Sequence, residues 1–304
     1  MKAQLDPVNR PQPWNMAAAA LVAVFFALCC LLPGTASAKQ WTATQGDILS
    51  IDLPATGKHV QVRAFGKTWP WKRLDADTVH AWIGIDLKTK PGWHSIHVRS
   101  KAGRKTEHVR VMRGHFRISR ITVKKKMAVF DSATLKRIRS DQASIHKAYT
   151  IPVSAHPDIT ISEQPVEGVI STPFGAQRFV NGEPRSPHMG LDIAAPEGTP
   201  IITPLPGRVL LASPMYLNGN TVVIGYGNGL DMVYSHLKKL RVKVGDWLKQ
   251  GQQIGEVGMT GRATGPHLHW GVSFRQARVN PLALLSANPV ASGQPTHQEG
   301  KADK

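Results

Sequence analysis

The stretch Gly265-Pro266-His267-Leu268-His269-Trp270 alternates histidines with apolar residues. Successive side chains of a β-strand point to opposite faces, so the two histidines share one face and the two apolar side chains share the other. The pattern therefore predicts a strand with one imidazole-bearing face. Two imidazoles on one face can hold a metal ion, although a solvent-facing pair is the commoner outcome for an isolated motif of this kind.

Two upstream motifs supply further groups for metal chemistry. His188-Met189-Gly190-Leu191-Asp192 places an imidazole and a carboxylate four residues apart, and Tyr234-Ser235-His236 adds another histidine. With His269, the first motif offers two imidazoles and one carboxylate, the donor set of an open catalytic zinc site. Such a site lowers the pKa of a water ligand toward ~7 and polarises the carbonyl under attack. His236 and His267 would then hydrogen-bond the water or the developing oxyanion and carry the proton to the leaving amine.

Positive charge is spread unevenly along the 304 residues. Residues 39–130 carry 19 Lys and Arg against 6 Asp and Glu, a balance of +13, and residues 131–304 carry 17 against 13, a balance of +4. A basic front half predicts an acidic partner: nucleic acid, anionic lipid or a carboxylate-rich polymer. Nucleic acid is the weakest of these candidates if the protein is exported.

The first 38 residues have the form of an export signal. Lys2 and Arg10 precede an uncharged run from Met16 to Leu32, and Ala36-Ser37-Ala38 has the A-x-A form of a cleavage site. We predict a signal peptide here, or an inner-membrane anchor if it is not cleaved, because the apolar run is slightly long. The only two cysteines lie in this run, so a processed chain would have no disulfide and no thiolate ligand.

Residues 41–123 have the alternation of an all-β domain. Turn residues separate short alternating runs at Val60–Phe65, Val79–Ile85 and Ser95–Arg99. Several strands at this spacing predict a small β-sandwich. The histidines of this region are interpreted as ordinary surface or strand residues and its tryptophans as core or turn anchors; they are His94, His97, His108, His115, Trp69, Trp71, Trp82 and Trp93.

A helix and a second β region are predicted next. The helix should begin at Asp131 or Ser132, either of which can cap it, and run to about Tyr149. Thr150–Glu167 contains three prolines and no clear period, which is typical of a linker. Strands return after Val169, and they are predicted at Val209–Ala212, Thr221–Tyr226, Asp231–Ser235 and Gln253–Val257.

Three motifs, in this order, resemble those of the lysostaphin/LytM-type zinc endopeptidases of bacterial cell walls. They are His-Met-Gly-Leu-Asp, Val-Tyr-Ser-His-Leu and Thr-Gly-Pro-His-Leu-His-Trp, and the match extends over about residues 165–285. The resemblance implies zinc ligands at His188, Asp192 and His269, and catalytic histidines at His236 and His267. It also implies an antiparallel sheet with a narrow groove, and hydrolysis of peptide cross-links in peptidoglycan by a zinc-activated water.

One departure from that family is visible. Gly225-Tyr226-Gly227 stands where relatives usually have Asp-His-Gly. These positions are not ligands in the family, so the departure bears on groove shape and substrate preference. Arg178 and Arg185 could bind substrate carboxylates, although solvation or local pairing is commoner for lone arginines, and Asn181 has a turn role as its alternative.

The expected fold is mainly β, with a small N-terminal β-sandwich, a linking helix and a C-terminal antiparallel β-sheet catalytic domain of LytM type. The expected boundaries are 1–38 for the signal peptide, 39–127 for the N-terminal β domain, 128–164 for helix and linker, 165–286 for the zinc peptidase domain and 287–304 for a disordered tail. We expect a periplasmic monomer with one Zn²⁺ per chain and peptidoglycan as its partner. No nucleic acid is expected, and a membrane only if the signal is uncleaved.

Two other functions compete with this one. A non-catalytic LytM-like domain could activate a separate cell-wall amidase, but such proteins typically lack the zinc ligands that this chain retains. A sugar-transport phosphocarrier domain shares the duplicated β-hairpin fold and uses two histidines, but it is cytoplasmic and does not account for Asp192. The zinc content of the purified protein separates the three functions.

Overall fold

Strands form most of the regular structure. The computed structural model describes residues 40–123, 129–154 and 159–285. Over these ranges it contains 22 strands, one α-helix and one short 3-10 helix. The prediction of a mainly β protein, with a sandwich, a linking helix and a C-terminal antiparallel sheet, is confirmed. The predicted export signal over 1–38 and the predicted tail over 287–304 lie outside the described residues.

The N-terminal region is a sandwich of two sheets. Its strands, with one that follows them, are β1 (Gln40–Thr44), β2 (Ile48–Pro54), β3 (Gln61–Ala64), β4 (Lys67–Trp69), β5 (Trp71–Arg73), β6 (Thr78–Gly84), β7 (Gly92–Ser100), β8 (Gly103–Met112) and β9 (Ile118–Ile121). One sheet has the order β1-β8-β7-β3-β4 and the other β2-β6-β5. Trp69 and Trp82 are buried, but Trp93 is 54% exposed, so a core position for Trp93 is wrong.

The C-terminal region is built around an eight-stranded antiparallel sheet of order β10-β13-β21-β17-β16-β15-β19, with β22 also paired to β21. The strands are β10 (Val169–Thr172), β11 (Gln177–Val180), β12 (Glu183–Pro184), β13 (Leu191–Ala194), β14 (Pro200–Ile202), β15 (Gly207–Met215), β16 (Gly219–Gly225), β17 (Leu230–Leu237), β18 (Lys239–Leu240), β19 (Trp247–Leu248), β20 (Gln253–Glu256), β21 (His267–Phe274) and β22 (Ala277–Val279). A short 3-10 helix, Pro281–Leu284, follows. Two small sheets, β14-β20-β18 and β12-β11-β9, complete the fold.

One α-helix, α1 (Ser132–Ala148), lies between the two β regions in the described part of the chain. Asp131 caps its first turn by accepting a backbone hydrogen bond, and Tyr149 forms its C-terminal cap. Both ends are as predicted. The buried face of α1 packs on β15. Among the described residues, no helix is both long and apolar enough to cross a bilayer.

The two β regions share buried side chains. Trp69 packs against Phe274 with ring centroids 5.3 Å apart, and the backbone N–H of Leu87 donates to the Arg278 carbonyl at 3.1 Å. Ile161, from the predicted linker, is buried in the same cluster of apolar side chains. One core therefore continues through both regions. The domain boundaries themselves stay a prediction.

Asp231 predicts a pH dependence of stability. It lies on β17, and burial raises its pKa to about 8, although the Arg278 charge acts in the opposite direction. Between about pH 4 and pH 8 the folded chain therefore keeps a proton that the unfolded chain loses. The free energy of unfolding should fall as pH rises through this window, with a slope of up to about 1.4 kcal/mol per pH unit. Asp231→Asn should flatten this slope in denaturant titrations, and the exposed control Asp77→Asn should keep it. Equal slopes in the two variants would contradict the prediction.

Candidate metal centre

Strand pairing brings the predicted groups together. β13 pairs with β21 so that Asp192 lies opposite His269, and β17 pairs with β21 so that Ser235, next to His236, also lies opposite His269. His267 and His269 are only partly buried, whereas the apolar residues that alternate with them are fully buried. The predicted division of this strand into an imidazole face and an apolar face is confirmed.

His188, Asp192 and His269 form a compact set of donor atoms. His188 Nε2 lies 2.9 Å from Asp192 Oδ1 and 2.9 Å from His269 Nδ1, and His269 Nδ1 lies 2.8 Å from Asp192 Oδ1. Gly190 permits this approach, because a Cβ there would lie 2.7 Å from His269 Cε1 and 2.7 Å from the Trp270 carbonyl oxygen. Steric crowding therefore explains why a glycine stands between His188 and Asp192 in this motif.

The chemistry of these atoms fits a bound cation. His188 Nδ1 lies 3.2 Å from the Pro173 carbonyl, which can only accept, so His188 donates there and leaves a lone pair on Nε2. That lone pair and Asp192 Oδ1 are both acceptors, yet they are 2.9 Å apart. Two acceptors at this distance require a proton or a cation between them. Zinc–ligand bonds of about 2.0–2.2 Å at tetrahedral angles place neighbouring donor atoms about 3.3–3.6 Å apart, so a small widening of the 2.8–2.9 Å contacts lets the three residues hold zinc.

Electrostatics keep these groups in the form that binds metal. Burial lowers the pKa of His188 to about 4, against the raising effect of the neighbouring Asp192 carboxylate. Burial would raise the pKa of Asp192, but the close His188 and His269 imidazoles hold it well below its usual range. A neutral imidazole and an ionised carboxylate at neutral pH are the protonation states that metal binding requires.

His236 and His267 lie beside the donor set. The His236 ring centroid is 4.7 Å from that of His267 and 6.2 Å from that of His269. His236 Nδ1 donates to the Thr260 carbonyl at 2.8 Å, and His267 Nδ1 donates to the Gly265 carbonyl at 2.8 Å. Each ring therefore keeps its Nε2 available for proton exchange. Burial, helped by the nearby His269 and His267 charges, lowers the pKa of His236 to about 3.

The backbone of His236 has an unusual conformation. Its φ is +67°, a value that is uncommon for residues other than glycine. A register shift between Asn220 and Val222 in the pairing of β16 with β17 accompanies it, and the His236 backbone N–H donates to the Asn218 carbonyl at 2.8 Å. Local strain of this kind concentrates at functional sites, where the surrounding structure holds it in place.

Arg178 holds the second oxygen of the candidate carboxylate ligand. Its Nη2 donates to Asp192 Oδ2 at 2.8 Å, which leaves Oδ1 to face His188 and His269. Sequence reasoning left Arg178 between substrate binding and solvation or local pairing, and it did not identify Asp192 as the partner. Arg178 and Pro173 lie in one short segment of the chain. That segment therefore orients two candidate metal ligands: Arg178 orients Asp192, and the Pro173 carbonyl orients His188.

Arg178→Gln should weaken zinc binding by about 10- to 100-fold, because partners that orient a ligand have effects of this size. The measurement is competition against a chromogenic chelator. Arg185→Gln is the matched control, since Arg185 lines the same groove and its loss should leave zinc affinity within about twofold. Equal affinities for the Arg178 variant and the unmodified chain would show that the Asp192 contact does not orient the ligand.

The donor set lies at the floor of a groove of about 850 Å³. Arg178, Arg185 and Arg262 all line it, and β9 and α1 contribute residues to one wall. Asn181 does not line the groove: it is a turn residue with φ +52°, and its side chain hydrogen-bonds both backbone groups of Val123. The turn interpretation of Asn181 therefore matches the structure.

Comparison with known proteins defines the class. A family model described as peptidase family M23 matches residues 186–281, which include all five groups of the site. A crystal structure assigned to peptidase M23, from Pseudomonas aeruginosa, is 34% identical, with a TM-score of 0.64, and the match covers 79% of this chain and 94% of that chain. The chain therefore belongs to peptidase family M23, as the motifs indicated.

Two curated relatives are similar over the C-terminal region. The DD-carboxypeptidase/endopeptidase Mpg of Neisseria meningitidis serogroup B is 37% identical over 135 residues, which are 44% of this chain and 29% of the relative. The peptidoglycan DD-endopeptidase ShyA of Vibrio cholerae is 44% identical over 110 residues, which are 36% of this chain and 25% of the relative. The matched region thus spans less than a third of the length of either relative.

Proposed function

We propose that this protein is a zinc-dependent endopeptidase that hydrolyses peptide cross-links of peptidoglycan. The observation that carries the proposal is the meeting of His188, Asp192, His269, His236 and His267 in one groove. The names of the two relatives, both DD-endopeptidases, support the bond type and the substrate.

Three residues would hold the zinc ion: His188 through Nε2, His269 through Nδ1 and Asp192 through Oδ1. When bound, the ion lowers the pKa of a water ligand toward ~7 and polarises a peptide carbonyl. Arg178 and the Pro173 carbonyl fix the orientation of Asp192 and His188 before substrate arrives. This order in the free site is the main contribution of these side chains to catalysis.

His236 and His267 would manage the proton and the negative charge. Because each donates from Nδ1 to a backbone carbonyl, its Nε2 can accept the proton of the attacking water. Once protonated, the same nitrogen can stabilise the developing oxyanion or pass the proton to the leaving amine. The low pKa of His236 keeps its imidazole neutral at neutral pH, the form that can accept a proton.

The charge of the groove favours an anionic peptide. Arg178 and Arg185, from the β11–β12 hairpin, and Arg262 line the groove together, and burial, with the charges of Arg178 and Arg185, lowers the pKa of the half-buried Arg262. Stem peptides of peptidoglycan carry free carboxylates, which guanidinium groups bind well. We further propose that Met1–Ala38 is removed on export, which N-terminal sequencing of the exported form would test, and that the chain then acts in the periplasm as a monomer.

Digestion of purified sacculi tests the proposed function. Mass spectrometry of the muropeptides should show loss of cross-linked dimers and gain of monomers, and the bond lost identifies the specificity. His236→Ala protein should leave the dimers intact. If zinc-loaded protein leaves the dimers unchanged but stimulates a purified cell-wall amidase, the non-catalytic activator is the correct function instead.

A further inference from the structure

The outer face of the sheet β1-β8-β7-β3-β4 carries a positive charge that the groove does not use. Outward side chains alternate with buried ones along β3, β7 and β8. The outward set includes Arg63, Arg99, Arg104, Arg110, His97 and His108. The five strands, all within the described residues, contain one acidic residue, Glu107, which is buried and paired with Lys105 at 2.8 Å. We name this surface the basic sheet face.

Like charges are placed directly opposite one another on this face. Arg99 is paired in register with Arg104, and Arg63 lies diagonally across from Arg99 on β3. Directly opposed side chains are about 5 Å apart, and like charges at that separation destabilise a sheet. Among the described residues, no carboxylate forms an ion pair with any of the four arginines. A destabilising arrangement without an internal counter-charge indicates an anionic partner from outside the chain.

The face also has a shape that suits a polymer. Arg63, Arg99 and Arg104 line a depression of about 580 Å³ at one end. At the other end Trp93 is 54% exposed and lies in register opposite Arg110. Trp93 and Arg99 are six positions apart on β7, which is about 20 Å along an extended strand. An exposed indole provides a flat apolar surface on which a sugar ring can stack, and the guanidiniums provide sites for carboxylates.

We propose that the basic sheet face binds peptidoglycan outside the catalytic groove, with stem-peptide carboxylates on the arginines and the glycan on Trp93. The choice of polymer rests on the proposed function. Nucleic acid and anionic membranes also present regular negative charge, and they are tested as alternatives below. Attraction at this face would raise the encounter rate of the enzyme with its substrate and is screened over ~8 Å at physiological salt.

The test is co-sedimentation with purified sacculi. The full chain carries His236→Ala so that the polymer stays intact during the assay. Adding Arg99→Gln with Arg104→Gln should weaken binding by about tenfold at low salt, the effect expected from two lost charge contacts. Thermal stability should stay equal or rise, because the opposed charges are gone. Lys136→Gln with Arg139→Gln, which removes two exposed charges from α1, is the matched control and should change binding less than about twofold.

Three further binding measurements, with amidated sacculi, with vesicles and with DNA, identify the ligand. Sacculi whose carboxylates have been converted to neutral amides should bind the parent chain as weakly as native sacculi bind the arginine variant. Vesicles of anionic phospholipid and duplex DNA of equal charge should bind more weakly than native sacculi. The single variant Arg99→Gln should show a smaller loss in the same direction, which keeps the test valid if the double variant is unstable.

Unchanged affinity of a folded Arg99/Arg104 variant would overturn the inference, as would full binding to amidated sacculi or tighter binding to vesicles or DNA. Failure of the proposed function is separate from these outcomes. If the chain binds sacculi through the arginines but cleaves no muropeptide, the proposed binding role of the basic sheet face holds and the proposed endopeptidase activity is wrong.

Discussion

Replacing His188, Asp192 or His269 by Ala is expected to remove bound zinc and hydrolysis together. The three donor atoms lie within 2.9 Å of one another, and the loss of any one leaves an open two-coordinate site. Activity should then fall to the uncatalysed background, because neither water activation nor carbonyl polarisation remains. The measurements are metal content by elemental analysis and cleavage of a cross-linked muropeptide dimer.

The paired histidines should behave differently. His236→Ala and His267→Ala should lower activity by about 10²- to 10⁴-fold, the usual contribution of a general acid or base, and keep bound zinc near that of the parent chain. His115→Ala, an exposed histidine of the N-terminal region, is the control and should change neither quantity. Stoichiometric loss of zinc from His267→Ala would show that this side chain is a ligand.

Phe274→Ala and Trp69→Ala are each expected to destabilise the whole protein by about 3–5 kcal/mol, the usual cost of a buried aromatic residue. Their rings meet at 5.3 Å across the two β regions, and Gly84 packs against both. Because one core is shared, the chain should unfold in a single transition that either substitution shifts. The measurement is denaturant unfolding followed by both fluorescence and circular dichroism.

Trp93→Ala is the matched control, because Trp93 is exposed and its loss should change the free energy of unfolding by less than about 0.5 kcal/mol. Two separate unfolding transitions, with only one of them shifted by Phe274→Ala, would mean that the N-terminal sandwich and the eight-stranded C-terminal sheet have independent cores.

Local patterns predicted the parts of the structure that depend on local geometry. Period-two alternation predicted β21, since burial of Leu268 and Trp270 forces His267 and His269 onto the other face. The candidate caps Asp131 and Ser132 predicted the start of α1 for a similar reason, and Asp131 is the one that caps it, through a hydrogen bond that lies within one turn. The spacing of the His188 motif likewise predicted that His188 and Asp192 contribute to the same candidate metal site, and their side chains are in contact.

Contacts between distant segments could not be predicted in this way. The Arg178 contact with Asp192 depends on how the segment before β11 is bonded to His188 through Gly175 and Ala176, and a lone arginine in a sequence has no pattern that specifies its partner. The packing of Trp69 on Phe274 depends on how two whole β regions pack together. The sequence of the N-terminal region therefore predicted a sandwich but did not show that its core continues into the C-terminal region.

Trp93 shows the limit of a composition argument. Tryptophan is highly buried on average, which favoured a core position for Trp93. The alternation along β7, however, gives Trp93 the parity of the exposed His97 and Arg99, and the register of β7 against β8 places it opposite the exposed Arg110.

Zinc titration of hydrolysis tests the central claim most directly. Metal-free protein is incubated with a purified cross-linked muropeptide dimer in water enriched in heavy oxygen, and zinc is added in steps. We predict that cleavage rises linearly, stops rising at one equivalent of zinc per chain, and places one heavy oxygen in the new carboxylate. Cleavage by metal-free protein, or an intact dimer in the presence of protein that holds its full equivalent of zinc, would contradict the account.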